Sequence, residues 1–252
     1  MKQSIIYFAL CFLIIACGKD TKKTTPEDSS KVQETTTEDN SKIGRNNYAV
    51  IWKWTTSNEQ LVSKNTVLIG EELNELWQED IIENVYYNSN AEIGKLGYFP
   101  NISFFIKSHS TEKAKTILDK FSIVKKNIAS YQLYPVGTLW MDRKADLISE
   151  KGMTLSFVSV WATKQKPSQD LVKKQSDAVL GLWNNGDIEN VYFDIEGTQK
   201  ANSATDFVFY INTNSEEEAK ALCNAMPFYK ENIASYELYP VGVFWMGKSK
   251  PE

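Results

Sequence analysis

The stretch Asn127-Ile-Ala-Ser-Tyr-Gln-Leu-Tyr-Pro-Val-Gly137 returns as Asn232-Ile-Ala-Ser-Tyr-Glu-Leu-Tyr-Pro-Val-Gly242, and each runs on to a Trp-Met pair, Trp140-Met141 and Trp245-Met246. A period of this size means two copies of one domain rather than a solenoid, because about 100 residues can bury a core of their own. The repeat predicts that the rest of the chain divides in the same way.

Outward from the repeat, matching elements can be read in each copy. Tyr48-Ala-Val-Ile-Trp-Lys-Trp54 and Thr154-Leu-Ser-Phe-Val-Ser-Val-Trp161 are β-rich first strands. Apolar residues at helical spacing follow, Leu61, Leu68, Leu73, Leu76 and Trp77 in one copy and Leu171, Val172, Val179, Leu182 and Trp183 in the other. Pro167 suits the first turn of the second of these helices, where its missing N–H would be unpaired anyway. Ile82-Glu-Asn-Val-Tyr-Tyr87 and Ile188-Glu-Asn-Val-Tyr-Phe193 read as second strands, and Ile102–Ile106 and Phe207–Ile211 as third strands. A second helix starts at Ser110 in one copy and at the capping-box pattern Ser215-Glu-Glu-Glu218 in the other. The repeated stretch closes each unit, with Pro135 and Pro240 suited to an edge strand because each removes one backbone donor.

The order β-α-β-β-α-β, twice, is the ferredoxin-like α+β unit. Two helices cover one face of such a sheet and leave the other open. Alternation places Val85, Tyr87, Val191 and Phe193 on one face, and Asn84, Tyr86, Asn190 and Tyr192 on the other. The second face is too apolar to stay bare, so the expectation is an intramolecular pseudo-dimeric α/β barrel with its two sheets apposed. The predicted organisation is a signal peptide over 1–16, a lipidated tether over 17–46, a first unit over 47–141, a linker over 142–152, a second unit over 153–248 and a tail over 249–252.

The N-terminus carries an address. Lys2, an apolar run from Ile5 to Ala16 and then Cys17 form a signal peptide too short to span a bilayer, which needs roughly 20 apolar residues. Ile14-Ile15-Ala16-Cys17-Gly18 resembles the lipobox of bacterial lipoproteins. The resemblance implies lipidation of Cys17 and attachment to a membrane of the bacterial cell envelope, because each buried methylene of an acyl chain contributes about 0.8 kcal/mol. The Thr-, Ser- and charge-rich stretch after it cannot bury enough apolar surface to fold and reads as a flexible tether. Cys11 leaves with the signal, and Cys223 lies in a helical Ala-Leu-Cys-Asn-Ala run as a small core residue.

In copy two, Phe209-Tyr-Ile-Asn-Thr-Asn-Ser-Glu-Glu-Glu-Ala-Lys-Ala-Leu-Cys-Asn-Ala-Met-Pro-Phe228 with the following Leu-Tyr-Pro-Val strand resembles the C-terminal half of muconolactone isomerase-like domains, members of the dimeric α/β-barrel group. Copy one keeps Ser110-Thr-Glu112 and Tyr-Pro-Val but has Lys120-Phe-Ser-Ile-Val124 in place of the Met-Pro-Phe ending. The matched residues are a helix start, a helix stop and core, so the resemblance implies a fold and transfers no catalytic residue.

A net charge of -4 gives no electrostatic footprint for nucleic acid. His109, alone in a polar loop, has neither the partners of a metal site nor those of a nucleophile pair, and no phosphate loop or paired-Cys motif points to a cofactor. Glu83 and Glu189 are the candidate general bases should either face the barrel interior, where desolvation would raise its pKa. Strict alternation argues otherwise, putting each Glu on the same side as Val and at the strand end. Trp52, Trp54, Asn84, Tyr86, Phe105, Trp161, Asn190, Tyr192 and Tyr210 are the candidate lining of a cavity between the sheets. Three functions follow: a lipid-anchored envelope module binding a small, partly apolar molecule or a partner protein; an enzyme moving a proton on a lactone or related carbonyl compound; and a structural or assembly subunit. The interior between the sheets separates them.

Overall fold

The computed structural model describes residues 46–88, 99–149, 152–193 and 207–248. The signal segment, Cys17, the tether before Asn46 and the tail at 249–252 lie outside the described residues; among the described helices none is long and apolar enough to cross a membrane.

The first half runs β1 (Asn46–Trp54), α1 (Glu59–Gln78), β2 (Ile82–Tyr86), β3 (Ile102–Ser108), α2 (Thr111–Leu118), α3 (Ser122–Lys125), β4 (Ala129–Val136) and β5 (Thr138–Met141). After α4 (Ala145–Ser149) the second half repeats it as β6 (Ser156–Thr163), α5 (Gln169–Asn184), β7 (Ile188–Phe193), β8 (Phe207–Ile211), α6 (Glu216–Ala225), α7 (Pro227–Lys230), β9 (Ala234–Val241) and β10 (Phe244–Met246). The result is an α+β fold of two antiparallel five-stranded sheets, ordered β10-β2-β3-β1-β4 and β5-β7-β8-β6-β9.

Four strands of each sheet follow the ferredoxin-like order, and the fifth comes from the other half. β5 leaves the first half and pairs with β7, Leu139 opposite Tyr192, while β10 pairs with β2, Phe244 opposite Tyr86. Without this exchange β2 and β7 would be edge strands offering unpaired backbone donors and acceptors. The repeated stretch itself stays home: β4 pairs with β1 and β9 with β6. The Trp-Met residues just beyond it do the exchanging. Pro135 and Pro240 lie on β4 and β9, each the end strand of its sheet opposite the exchanged one, as their missing donors require. Gly242, between β9 and β10, leaves no room for a side chain, since a Cβ there would stand 2.6 Å from Asn88 N and 2.7 Å from the Tyr87 carbonyl carbon.

Side-chain oxygens cap the four longer helices: Asn58 accepts from Leu61 N, Ser110 from Lys113 N, Ser168 from Leu171 N and Ser215 from Glu218 N. Pro167 therefore stands one residue before the cap Ser168 rather than inside the first turn. Only the Ser half of the expected capping box forms, because the Glu218 carboxylate accepts from Thr213 Oγ1 instead. Leu68 and Val172, expected on buried faces, are exposed; Asn65 and Ile69 in α1 and Gln175 in α5 are buried in their place.

Three apolar cores result. One packs α1 and α2 onto their sheet through Ile69, Leu73, Phe104 and Leu118, and a second packs α5 and α6 through Val179, Phe209 and Cys223. The third holds strand residues of both sheets and none from a helix: Ala49, Ile51, Tyr86 and Phe105 meet Val158, Val160, Tyr192, Val208 and Tyr210. Burial pushes the Cys223 thiol up to about 12, in keeping with a core residue rather than a nucleophile.

Candidate functional site

The Ile-Glu-Asn-Val-Tyr strands do not alternate regularly. Their pairing register shifts between Glu83 and Tyr86 and again between Glu189 and Tyr192. At each shift an Asn adopts the left-handed conformation, Asn84 at φ 50° and Asn190 at φ 48°. Such a bulge adds a residue and resets the parity of the strand, and Asn is among the few L residues that tolerate the conformation. The expectation that each Glu shares a face with Val is thereby corrected. Glu83, Asn84 and Tyr86 all enter the space between the sheets, as do Glu189, Asn190 and Tyr192, and all six are buried.

Hydrogen bonds there cross from one sheet to the other. Tyr86 Oη donates to Glu189 Oε1 (2.5 Å) and accepts from Asn190 Nδ2 (2.8 Å). Reciprocally, Tyr192 Oη donates to Glu83 Oε1 and accepts from Asn84 Nδ2 (2.9 Å). Ser103 Oγ donates its only proton to Val50 O (3.0 Å), so Tyr210 Oη is the donor in its 2.7 Å contact with Ser103 Oγ. The rings stack on one another, Tyr86 on Tyr210 and Phe105 on Tyr192, each at 3.5 Å between centroids.

The two carboxylates meet different cations. Lys107 Nζ stands 2.8 Å from Glu83 Oε2 and 2.7 Å from Asp80 Oδ1. Glu189 Oε2 faces Arg143 Nε at 3.1 Å, an ion pair without hydrogen-bond alignment, and the guanidinium lies 4.3 Å from the centre of the Phe244 ring. Arg143 directly follows β5 and so arrives with the exchanged strand. Burial raises the Glu189 carboxyl above the usual carboxylate range, with the Tyr86 hydrogen bond and Arg143 pulling it part of the way back. The Tyr86 and Tyr192 phenols are pushed well above their ordinary value, first by burial and then by the carboxylates beside them. Both therefore remain donors at neutral pH.

Of the nine residues expected to line a cavity, Asn84, Tyr86, Phe105, Asn190, Tyr192 and Tyr210 come together between the sheets, where their rings pack against one another. The other three face the helices. Trp52 packs edge-on against Phe104 and Phe121, Trp161 packs against Phe207 and Tyr236, and Trp54 is half-buried with Nε1 donating to Pro100 O (3.0 Å). First strands alternate regularly, so a Trp that follows Ile51 or Val160 turns to the opposite side from the inter-sheet core. His109 is exposed in its loop.

Open space lies elsewhere. A cleft of about 550 Å3 at the end of β8 and the start of α6 is lined by Met153, Asp187, Ile211, Asn212, Thr213, Asn214, Ser215, Glu218 and Leu222. Its polar wall is braced: Asn212 Nδ2 donates to Gly186 O (3.1 Å), and Asn214 Oδ1 accepts from Thr154 N (3.0 Å) and Leu155 N (3.2 Å). Sequence reasoning did not single out these residues. The available signal was that Asp187 and Asn212 break the match between the copies, standing where the first half has Ile81 and Lys107. Among the described residues no group of three or more His, Cys, Asp or Glu side chains could hold a metal ion.

No protein-family model matches the chain, and no curated protein does. Solved structures that resemble it include a chlorite dismutase from Candidatus Nitrospira defluvii, at 10% identity over 79% of this chain and 92% of that one with a TM-score of 0.45. Another is a heme-binding protein from Thermus thermophilus, at 7% identity over 79% of this chain and 91% of that one with a TM-score of 0.44. These findings correct the resemblance to muconolactone isomerase-like domains: the neighbours are of the chlorite dismutase and heme-binding kind, and the residues quoted for the resemblance are helix ends and core that many α+β sheets require. At such identities and TM-scores the neighbours assign this chain neither activity nor cofactor.

Proposed function

We propose that the chain is a lipid-anchored protein of the bacterial cell envelope whose two ferredoxin-like units close as an intramolecular pseudo-dimeric α/β barrel and serve as a binding module for a small, partly apolar molecule. The observation that carries the binding reading is the cleft beside β8. Its 550 Å3 falls within the range of small-molecule sites, roughly 300–1,000 Å3, and it sets Met153, Ile211 and Leu222 beside amide, hydroxyl and carboxylate groups that can orient a ligand. The crossed tyrosine–glutamate bonds and the exchanged strands support the barrel, since each half supplies parts that the other needs. The lipobox around Cys17 supports the anchor.

The raised pKa of Glu189 favours a second reading, proton transfer on a carbonyl compound without a cofactor. A base needs a free lone pair facing its substrate. Glu189 Oε1 already accepts from Tyr86 and Oε2 faces Arg143, in a space filled by stacked rings, so the binding reading stands first.

Full-length protein extracted from membranes in mild detergent and analysed by native mass spectrometry tests both parts. A carried small molecule is expected, and Cys17→Ser is expected to move the chain to the soluble fraction. No small-molecule binding at the cleft would overturn the binding reading, and retention of the Cys17→Ser variant on membranes would overturn the anchor.

A further inference from the structure

The two halves also meet where β4 approaches β9. Strand register makes the positions there equivalent: Tyr134 stands opposite Ala49 as Tyr239 stands opposite Val158, and Gln132 opposite Ile51 as Glu237 opposite Val160. Tyr134 and Tyr239 both pack against the core between the sheets, and one carboxylate serves both phenols. Glu237 Oε2 accepts from Tyr134 Oη (2.7 Å) and from Tyr239 Oη, and the two phenol oxygens stand 2.9 Å apart. The matching residue of the first half, Gln132, carries no charge, so the anionic acceptor comes from the second half alone.

Hydrogen bonds from Tyr239 and then Tyr134 hold the Glu237 carboxyl below the usual carboxylate range, and the Lys53 charge adds to the effect. Lys53 Nζ itself lies 4.3 Å from the centre of the Tyr239 ring. Glu237 is therefore ionised at neutral pH and able to take a proton. Burial raises both phenols, Tyr239 to about 12, so each keeps its proton at neutral pH and gives up an electron only as that proton leaves. Other tyrosines approach one another without these features. Tyr86 and Tyr210 stack in the sealed space between the sheets, and Tyr229 and Tyr236, 5.3 Å apart between ring centres, both belong to the second half. Tyr134 and Tyr239 are only half-buried and Glu237 is exposed, so this pair meets solvent.

We propose that Tyr134 and Tyr239 form an oxidative cross-linking site, at which a peroxidase-type one-electron oxidant fed by hydrogen peroxide joins the two halves through a carbon–carbon bond, with Glu237 as the proton acceptor. Each phenol gives one electron to the oxidant and its proton to Glu237, which passes it to water. The two radicals couple between the ring carbons ortho to their oxygens. The hydrogen on each coupled carbon then moves to the neighbouring oxygen and restores the phenol. In all the pair loses two electrons and two protons, and one hydrogen peroxide takes them up to become two waters. Each reacting carbon is two bonds from an oxygen of the 2.9 Å contact, so rotation of the side chains brings the carbons together. The bond ties residues 105 positions apart and constrains the unfolded chain as a disulfide of that span would. The site lies apart from the cleft beside β8 and needs no ligand there.

Dilute full-length protein incubated with a peroxidase and hydrogen peroxide, followed by dityrosine fluorescence and mass spectrometry of the digested monomer, tests it. One pair of peptides joined at Tyr134 and Tyr239, two hydrogens lighter than their sum, is expected in a chain that still runs as a monomer. Tyr134→Phe and Tyr239→Phe should each cut this cross-linking at least tenfold, and Tyr229→Phe should leave it unchanged. Glu237→Gln, which keeps an acceptor oxygen but removes the base, should slow it at least tenfold. Should a variant fail to fold, the peptides mapped in the parent decide. A cross-link mapped to Tyr229 and Tyr236 instead, or none within the chain while free tyrosine in the same sample is coupled, overturns the site. Cross-linking of Glu237→Gln at the parent rate overturns the role of the carboxylate.

Discussion

Glu83 and Glu189 enter the space between the sheets from equivalent bulges, and each accepts a hydrogen bond from a tyrosine of the opposite sheet, yet their charges are met from different places. Lys107, on the strand beside Glu83, reaches it directly; Glu189 depends on Arg143, which is delivered by the continuation of β5 after that strand has crossed to the other sheet. A buried carboxylate needs a cation, but the geometry leaves its source free. In the second half the cation comes from across the seam, so position 212 no longer has to be a lysine and a cleft opens beside it.

The largest test of this difference is removal of each cation. Arg143→Met should lower stability by roughly 3–5 kcal/mol at neutral pH, the usual loss when one partner of a buried pair is removed. Lys107→Met should cost less, because Asp80 and Glu83, with side chains 17% and 7% exposed, lie nearer water than Glu189 at 1%. Urea midpoints measure both, and equal losses would erase the distinction. Next in size, Tyr86→Phe and Tyr192→Phe each leave a buried carboxylate and an Asn amide short of a partner, for a loss of about 1–3 kcal/mol. Tyr86→Phe should be the more damaging, since Lys107 still serves Glu83 when Tyr192 Oη is gone.

The smallest effect is a pH dependence. The Glu189 carboxyl is raised in the folded chain, so between the unfolded value of about 4.3 and its folded value the native state binds more protons than the unfolded state. Its contribution is fully present below the unfolded value and is lost as pH rises through the folded one, with a slope of at most about 1.4 kcal/mol per pH unit. Glu237 works in the opposite sense: hydrogen bonds from Tyr239 and Tyr134 lower its carboxyl, and that contribution is lost as pH falls. Subtracting the Glu189→Gln stability profile from that of the parent isolates the first effect, and identical profiles would show that Glu189 carries no raised pKa.

Much of the architecture was legible in local residue patterns. Apolar spacing marked the strands and helices, Ser110 and Ser215 marked two helix starts, Pro135 and Pro240 marked edge strands, and Cys223 read as core. Such signals reach only a turn of helix or a few strand residues, so they survive without knowledge of the fold. The polar seam was half legible. Alternation correctly put Asn84, Tyr86, Asn190 and Tyr192 between the sheets but sent Glu83 and Glu189 the wrong way. A left-handed Asn in each strand resets parity, and the twice-repeated Glu-Asn-Val-Tyr was the one clue to it.

By itself, then, the sequence determined the order of elements, their duplication and the residue types offered to each face, because periodicity and capping are set by near neighbours along the chain. Tertiary structure alone decided that β5 and β10 change sheets, that each tyrosine bonds the other half's glutamate, and that Asn212 borders open space. Those outcomes depend on strand edges and side chains brought together from more than a hundred residues apart, as in the Tyr86–Glu189 pair. No local pattern encodes which distant edge will close a sheet or where the packing will leave a gap.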